Sequence, residues 1–350
     1  MCYVLLKFIN QKSMKKIVSY IVSSVLGFGA LFSYASAHVG YVIEHEEFLS
    51  HQGVDSHFLL NGITENLTQF VVAGLITLAL VGIILFVRSR KQVARYLATV
   101  QGKLVSYYEL LPWMARLALG IALIGAGTAQ VFISPVMEYV PHTALLEILL
   151  GFFFLLGFLI VPASLVTIGL FVYGLVHNPY LFGNLDFLAL TLAVFLLGSG
   201  RPGLDDILSI DSFKRLKHAD LVPLVLRIGL GVAFFYLGMY EKFLNPHDSE
   251  LVVTTYHLTN VIDVAPALWV LGAGLVECTL GILLVLGFET RLVAVISFVV
   301  ISLSFFYFKE SVYSHVTLFA ALSMLVVTGA GKHSLDSFFA KRKAQKLNPA

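Results

Sequence analysis

The chain has 350 residues, of which 58% are hydrophobic and 13% charged, and its formal net charge is +2. A mean hydropathy of +0.87 excludes a water-soluble globular domain and points to an all-α integral membrane protein, the lipid bilayer being its first partner. The small net charge averages a basic face with an acidic one and implies no nucleic-acid partner.

Residues 1–37 read as a leader. Lys15 and Lys16 precede the apolar run 17–32, and Ala35-Ser36-Ala37 supplies a small-residue cleavage site, the pattern of a secretory signal peptide. Met14, directly before the lysines, is the expected start, and cleavage leaves His38 at the mature N-terminus. Residues 38–66 then form an extracytoplasmic segment holding His38, His45, His51 and His57 among Glu44, Glu46, Glu47, Asp55 and Glu65, with no Lys or Arg. An N-terminal His offers an amine and an imidazole nitrogen, a chelating pair suited to copper, and further imidazoles would complete a copper or zinc site. The spacing of seven, six and six fits no fixed metal motif, and the competing reading is a solvated segment with incidental histidines.

Nine apolar stretches of 14 to 26 residues follow, at 67–87, 112–133, 136–161, 163–176, 185–198, 223–244, 267–287, 292–308 and 312–329. Most are long enough to cross about 30 Å of hydrocarbon as helices. With the N-terminus outside, nine crossings put the C-terminus in the cytoplasm. The basic residues agree: Arg88, Arg90, Lys91, Lys103, Arg201, Lys214, Arg215, Lys332 and Lys341 all fall in inner segments, whereas the outer loops hold little beyond Lys309. The expected location is the plasma membrane.

Two of the hydrophobic hairpins are copies. Pro112, Arg116, Leu119, Gly120, Ala122, Gly127, Phe132 and Pro135 recur 111 residues later as Pro223, Arg227, Leu230, Gly231, Ala233, Gly238, Phe243 and Pro246. After a loop, Glu147, Gly151, Gly157 and Phe158 match Glu277, Gly281, Gly287 and Phe288, and GSGRPGLD at 198–205 echoes GAGKHSLD at 329–336. The expected order is a first transmembrane helix and basic loop (67–111), a first four-helix repeat (112–205), a cytoplasmic linker (206–222), a second repeat (223–336) and a basic tail (337–350). Each copy has four helices, so both run in the same direction and are related by an axis along the membrane normal. Gly120, Gly127, Gly231 and Gly238 should mark close helix contacts.

Cys2 leaves with the leader and Cys278 lies in an apolar stretch, so the mature chain forms no internal disulfide. No haem-attachment CxxCH, phosphate-binding GxxxxGK[ST], HExxH or GxSxG motif is present. The residues that stand out are charged groups inside the second repeat: Arg227 near the inner end of its helix, Glu241 and Lys242 near the outer end, and Glu277 near mid-bilayer. Each is costly there unless paired or wetted. At about 100° per residue, Arg227, Gly231, Gly238 and Glu241 share one helix face and Tyr236 and Tyr240 the opposite one. Glu277 then has three options: pairing with Arg227, pairing with Glu241, or accepting a tyrosine hydroxyl. Its role is either to hold helices together or to serve as a proton or quinone-headgroup site. His142, His177, His257 and His315 lie at the outer face with Trp269, Tyr139 and Tyr313, the aromatics reading as an interfacial belt; His315 is also a candidate cofactor contact.

The stretch LRIGLGVAFFYLGMYEKF at 226–243, Glu277 with Gly281, and GFETRLVA at 287–294 resemble the DoxX family of four-helix membrane proteins, which includes subunits similar to part of a thiosulfate:quinone oxidoreductase. The resemblance adds Arg291 to the candidate set. It is degenerate in the first repeat, where Gln130 and Val131 replace the Glu-Lys pair. It implies a membrane subunit of a quinone-linked redox complex acting with a partner that supplies electrons. Metal handling by the histidine segment, with a membrane anchor or conduit, is the first alternative; a structural scaffold for a membrane complex is the second.

Overall fold

A computed structural model describes Tyr41 and residues 54–55, 57–88, 90–137, 140–210, 219–261 and 263–347. The signal peptide, His38, His45 and His51 lie outside the described residues. Every described element is helical, and no strand occurs among them. The short α1 (Phe58–Glu65) leads into α2 (Leu67–Arg88), an apolar helix of 22 residues, and α3 (Lys91–Val105). The first repeat contributes α4 (Leu111–Ala129), α5 (Thr143–Leu156), α6 (Ile160–His177) and α7 (Leu185–Leu197). The second contributes α8 (Val222–Leu237), which runs on as a π-helix at Gly238–Leu244, then the short α9 (Pro246–Thr255), and α10 (Pro266–Leu286), α11 (Thr290–Phe308) and α12 (Val312–Thr328). The chain ends in α13 (Leu335–Leu347). Among the described residues six helical spans are long and apolar enough to cross a membrane, and α5 and α12 are shorter apolar helices. The protein is a multi-pass helical membrane protein.

The stretch 136–161 is not one helix. Pro135 and Pro141 remove backbone donors, and Ile133 and His142 adopt positive φ of 62° and 71°, so 131–137 and 140–142 are non-helical and α5 starts only at Thr143. A helix of 14 residues rises about 21 Å, less than the hydrocarbon thickness. Non-helical backbone is tolerated at such a position because it lies in protein rather than lipid: Phe132, Ile133, Ser134, Val136 and Met137 are all buried.

Within each repeat the first two helices pack face to face, α4 on α5 and α8 on α10. Glycines make this possible. A Cβ on Gly231 would sit 2.7 Å from the Gly281 carbonyl oxygen, and one on Gly120 would sit 2.9 Å from that of Gly151. Gly127 and Gly238 abut the backbone oxygens of Ala144 and Gly274 in the same way. The two repeats then exchange partners, since α7 packs on α8 and α12 packs on α4. This reciprocity is a pseudo-twofold arrangement. Near its axis, equivalent residues meet: Thr317 Oγ1 donates to Asp186 Oδ2 at 2.7 Å. Tyr41 sits between another equivalent pair, accepting from Asn184 Nδ2 at 2.7 Å while its ring meets the His315 ring edge-on at 5.5 Å.

One end of the bundle carries the same lock twice. Arg116 donates to the carbonyls of Phe154, Leu155, Ser199 and Pro202. Arg227 donates to those of Leu284, Val285 and His333. Asp205 accepts from the N–H groups of Leu159 and Ile160 at 2.7 and 3.1 Å, and Asp336 from those of Glu289 and Thr290 at 2.8 and 3.1 Å. Each aspartate thereby caps the third helix of its repeat from a segment that follows the fourth.

Candidate functional site

The charged residues divide between the two ends of the bundle. Arg227 is separated from Glu241 by 14 residues of helix, about 21 Å, and its guanidinium serves carbonyl oxygens in the lock just described. Arg291 likewise donates to the carbonyls of Val326 and Val327, at the end of α12. Neither reaches Glu277.

At the opposite end, Glu241, Lys242 and Glu277 meet. Lys242 Nζ lies 2.5 Å from Glu241 Oε2 and 3.8 Å from Glu277 Oε1, and all three residues are buried. Two carboxylates around one ammonium offset much of the cost of taking these charges out of water. The second Glu241 oxygen accepts the hydroxyl of Tyr180, which belongs to the first repeat. The Glu277 carboxylate faces the Lys242 ammonium, a partner that was not among the three sequence options for it.

The π-helix positions this cluster. An α-helical register puts Tyr236 and Tyr240 on the face opposite Glu241, but the wider turn at Gly238–Leu244 rotates the chain less per residue and changes that relation. Pro246 ends the segment, the Asn245 N–H donates to the Tyr240 carbonyl at 2.9 Å, and Ser249 Oγ of α9 donates to the Glu241 carbonyl at 2.9 Å. The tyrosines connect to the carboxylate through Tyr180, whose hydroxyl it accepts. Tyr236 and Tyr240 stack at 5.4 Å, Tyr240 meets Tyr180 edge-on at 5.7 Å, and Phe182 lies 5.7 Å from Tyr236. Phe182 and Phe235 are exposed on the bundle's outside.

His315 is the fourth residue of α12 and is buried rather than interfacial. Its Nε2 lies 3.1 Å from Glu310 Oε2, Ser314 Oγ is 2.9 Å from its Nδ1, and Ser304 Oγ donates to Glu310 at 3.4 Å. Burial raises the Glu310 carboxyl to about 7; the Glu241 charge pushes it the same way and Lys242 pulls it back. Burial also raises the Tyr41 hydroxyl. Trp269, expected in an interfacial belt, is buried.

In the first repeat the matching Glu147 accepts the Ile133 N–H at 3.1 Å, bracing the non-helical segment 131–137. Of the metal candidates only His57 is among the described residues. His57 caps α1 with its N–H donated to Asp55 Oδ1 at 3.0 Å, and no group of three His, Cys, Asp or Glu able to hold a metal ion is found there. Tyr180, Glu310 and Ser304 carried no signal in the sequence. Tyr180 comes from the other repeat, and Glu310 lies in the short connection between α11 and α12.

Residues 222–310 match the DoxX family model. The match takes in Arg227, Tyr236, Tyr240, Glu241, Lys242, Glu277 and Arg291 and stops short of α12 with His315. No curated protein and no solved structure matches the chain.

Proposed function

With a DoxX domain at 222–310 as the premise, we propose that the chain is a membrane subunit of a quinone-linked redox complex, and that its second repeat handles the protons of a quinone headgroup while a partner protein supplies or removes the electrons. The observation that carries this reading is the aromatic wall at the junction of the repeats, with a buried ionic cluster directly behind it. Phe182 and Tyr236 face the side from which a lipid-soluble ring would arrive, and stacking on such rings suits a planar headgroup. Tyr180 joins that wall to Glu241, and Lys242 and Glu277 stand behind Glu241. A quinone takes up or releases protons as its electron count changes, and these groups are placed to exchange them. In this reading the carboxylate end lies outside the plasma membrane and the arginine end in the cytoplasm, following the distribution of basic residues. Arg227 and Arg291 then act in packing, and Tyr236 and Tyr240 in ring contact.

Photolabelling of the full-length protein in its native membrane with an azido-quinone tests the proposal. We expect saturable labelling within 179–188 or 222–245, competed by unlabelled quinone and reduced at least fivefold by Tyr236→Leu. Labelling that does not saturate, or that ignores the substitution, removes the quinone site.

A further inference from the structure

Behind Glu277, between α8, α10, α11 and α12, lies a cavity of about 20 Å³ lined among others by Glu277, Ser297, Ile301, His315 and Leu318. Space for a single water needs about 10–15 Å³ on this measure, so the cavity fits one water and no quinone ring. Ser297 is fully buried, and its hydroxyl has no hydrogen-bond partner among the described residues. A helical serine or threonine ordinarily bonds back to the carbonyl four residues earlier, as its counterpart Thr167 does to Ala163 at 2.8 Å. The first repeat also fills the equivalent space. There Phe171 and Phe187, at the positions of Ile301 and Leu318, stack at 6.0 Å and are buried. The second repeat thus combines smaller side chains, an uncommitted hydroxyl and a carboxylate at one place, a polar and roomy setting in which water is favoured over a void.

We propose that this cavity is a water site, in which one water held by Ser297 and Glu277 joins the Lys242–Glu241–Glu277 cluster to the His315–Glu310 pair as a proton relay. The Lys242 ammonium gives a proton to the Glu277 carboxylate, which hands one to the water, and the water passes one on to the His315–Glu310 pair; no electron moves and no bond between heavy atoms changes. The direction of use rests on the proton role proposed above, but the water site itself does not.

Infrared difference spectroscopy of the reconstituted full-length protein across a pH step, in H2O and in H2(18)O, tests it. Wild type is expected to show a water O–H stretch that shifts with the heavy isotope. The pair Ile301→Phe and Leu318→Phe, which restores the first repeat's filling without touching an ionisable group, should abolish that band, and Ser297→Ala should move it. Absence of an isotope-sensitive band in wild type, or an unaltered band in the filled variant, overturns the proposal. If the filled variant does not fold, Ser297→Ala decides, and an unmoved band overturns it. A water band without quinone labelling would sink only the quinone reading; labelling without the band would sink only this one.

Discussion

Glu310 is the residue whose behaviour is most directly measurable. Its carboxyl is raised from 4.5 to about 7 by burial, so the folded state binds a proton that the unfolded chain releases more readily. The resulting stability is fully present below about pH 4.5 and is lost as pH rises to about 7, beyond which it stays level. The loss amounts to on the order of 3 kcal/mol. Thermal melting in detergent should therefore show the midpoint falling through that window, and Glu310→Gln should make the fall shallower; an identical slope in the variant would contradict this assignment. The sequence made Glu241, Lys242 and Glu277 legible because charge inside an apolar stretch is rare and costly. It left Glu310, Ser297 and Tyr180 unmarked, since a loop carboxylate, a helical serine and a loop tyrosine are ordinary until their surroundings are known.

At the scale of elements, repetition separates what is structural from what is particular to one copy. The aspartate cap and the arginine lock occur in both repeats with matching donors and acceptors. Asp205→Ala and Asp336→Ala should each cost about 1–2 kcal/mol, and by similar amounts, as read from chemical denaturation in detergent. An effect confined to Asp336 would show that the two caps are not equivalent. The repeat spacing rises from 111 at Arg116/Arg227 to 130 at Glu147/Glu277, so the second copy holds extra chain between its first two helices. That chain builds α9, whose Ser249 supports the π-helical segment. Most of the long helices and their glycine contacts were readable from apolar runs and from the paired glycines, but the break within 136–161 was not. The π-turn was not, because a one-residue change of register leaves no mark in an apolar run.

For the whole molecule, orientation is the property to measure. Single cysteines at positions 201 and 332, introduced with Cys278→Ser, should resist a membrane-impermeant thiol reagent in intact cells, whereas one at 247 should react; the opposite pattern would invert the topology proposed here. The match to DoxX covers only 222–310, yet the ionic cluster is completed by Tyr180 from outside it and flanked by His315 beyond its end. By itself the sequence determined a multi-pass helical protein, the tandem copies and the identity of the buried charges, because hydropathy, costly charge and repeated glycines are local properties of the chain. Only the tertiary structure decided that Glu277 faces Lys242 rather than Arg227, that the first repeat lends a tyrosine to the second, and that a water-sized cavity adjoins Glu277. Those outcomes depend on which helices become neighbours, and in a chain this uniformly apolar that choice is made by close packing across the repeats rather than by any pattern along one helix.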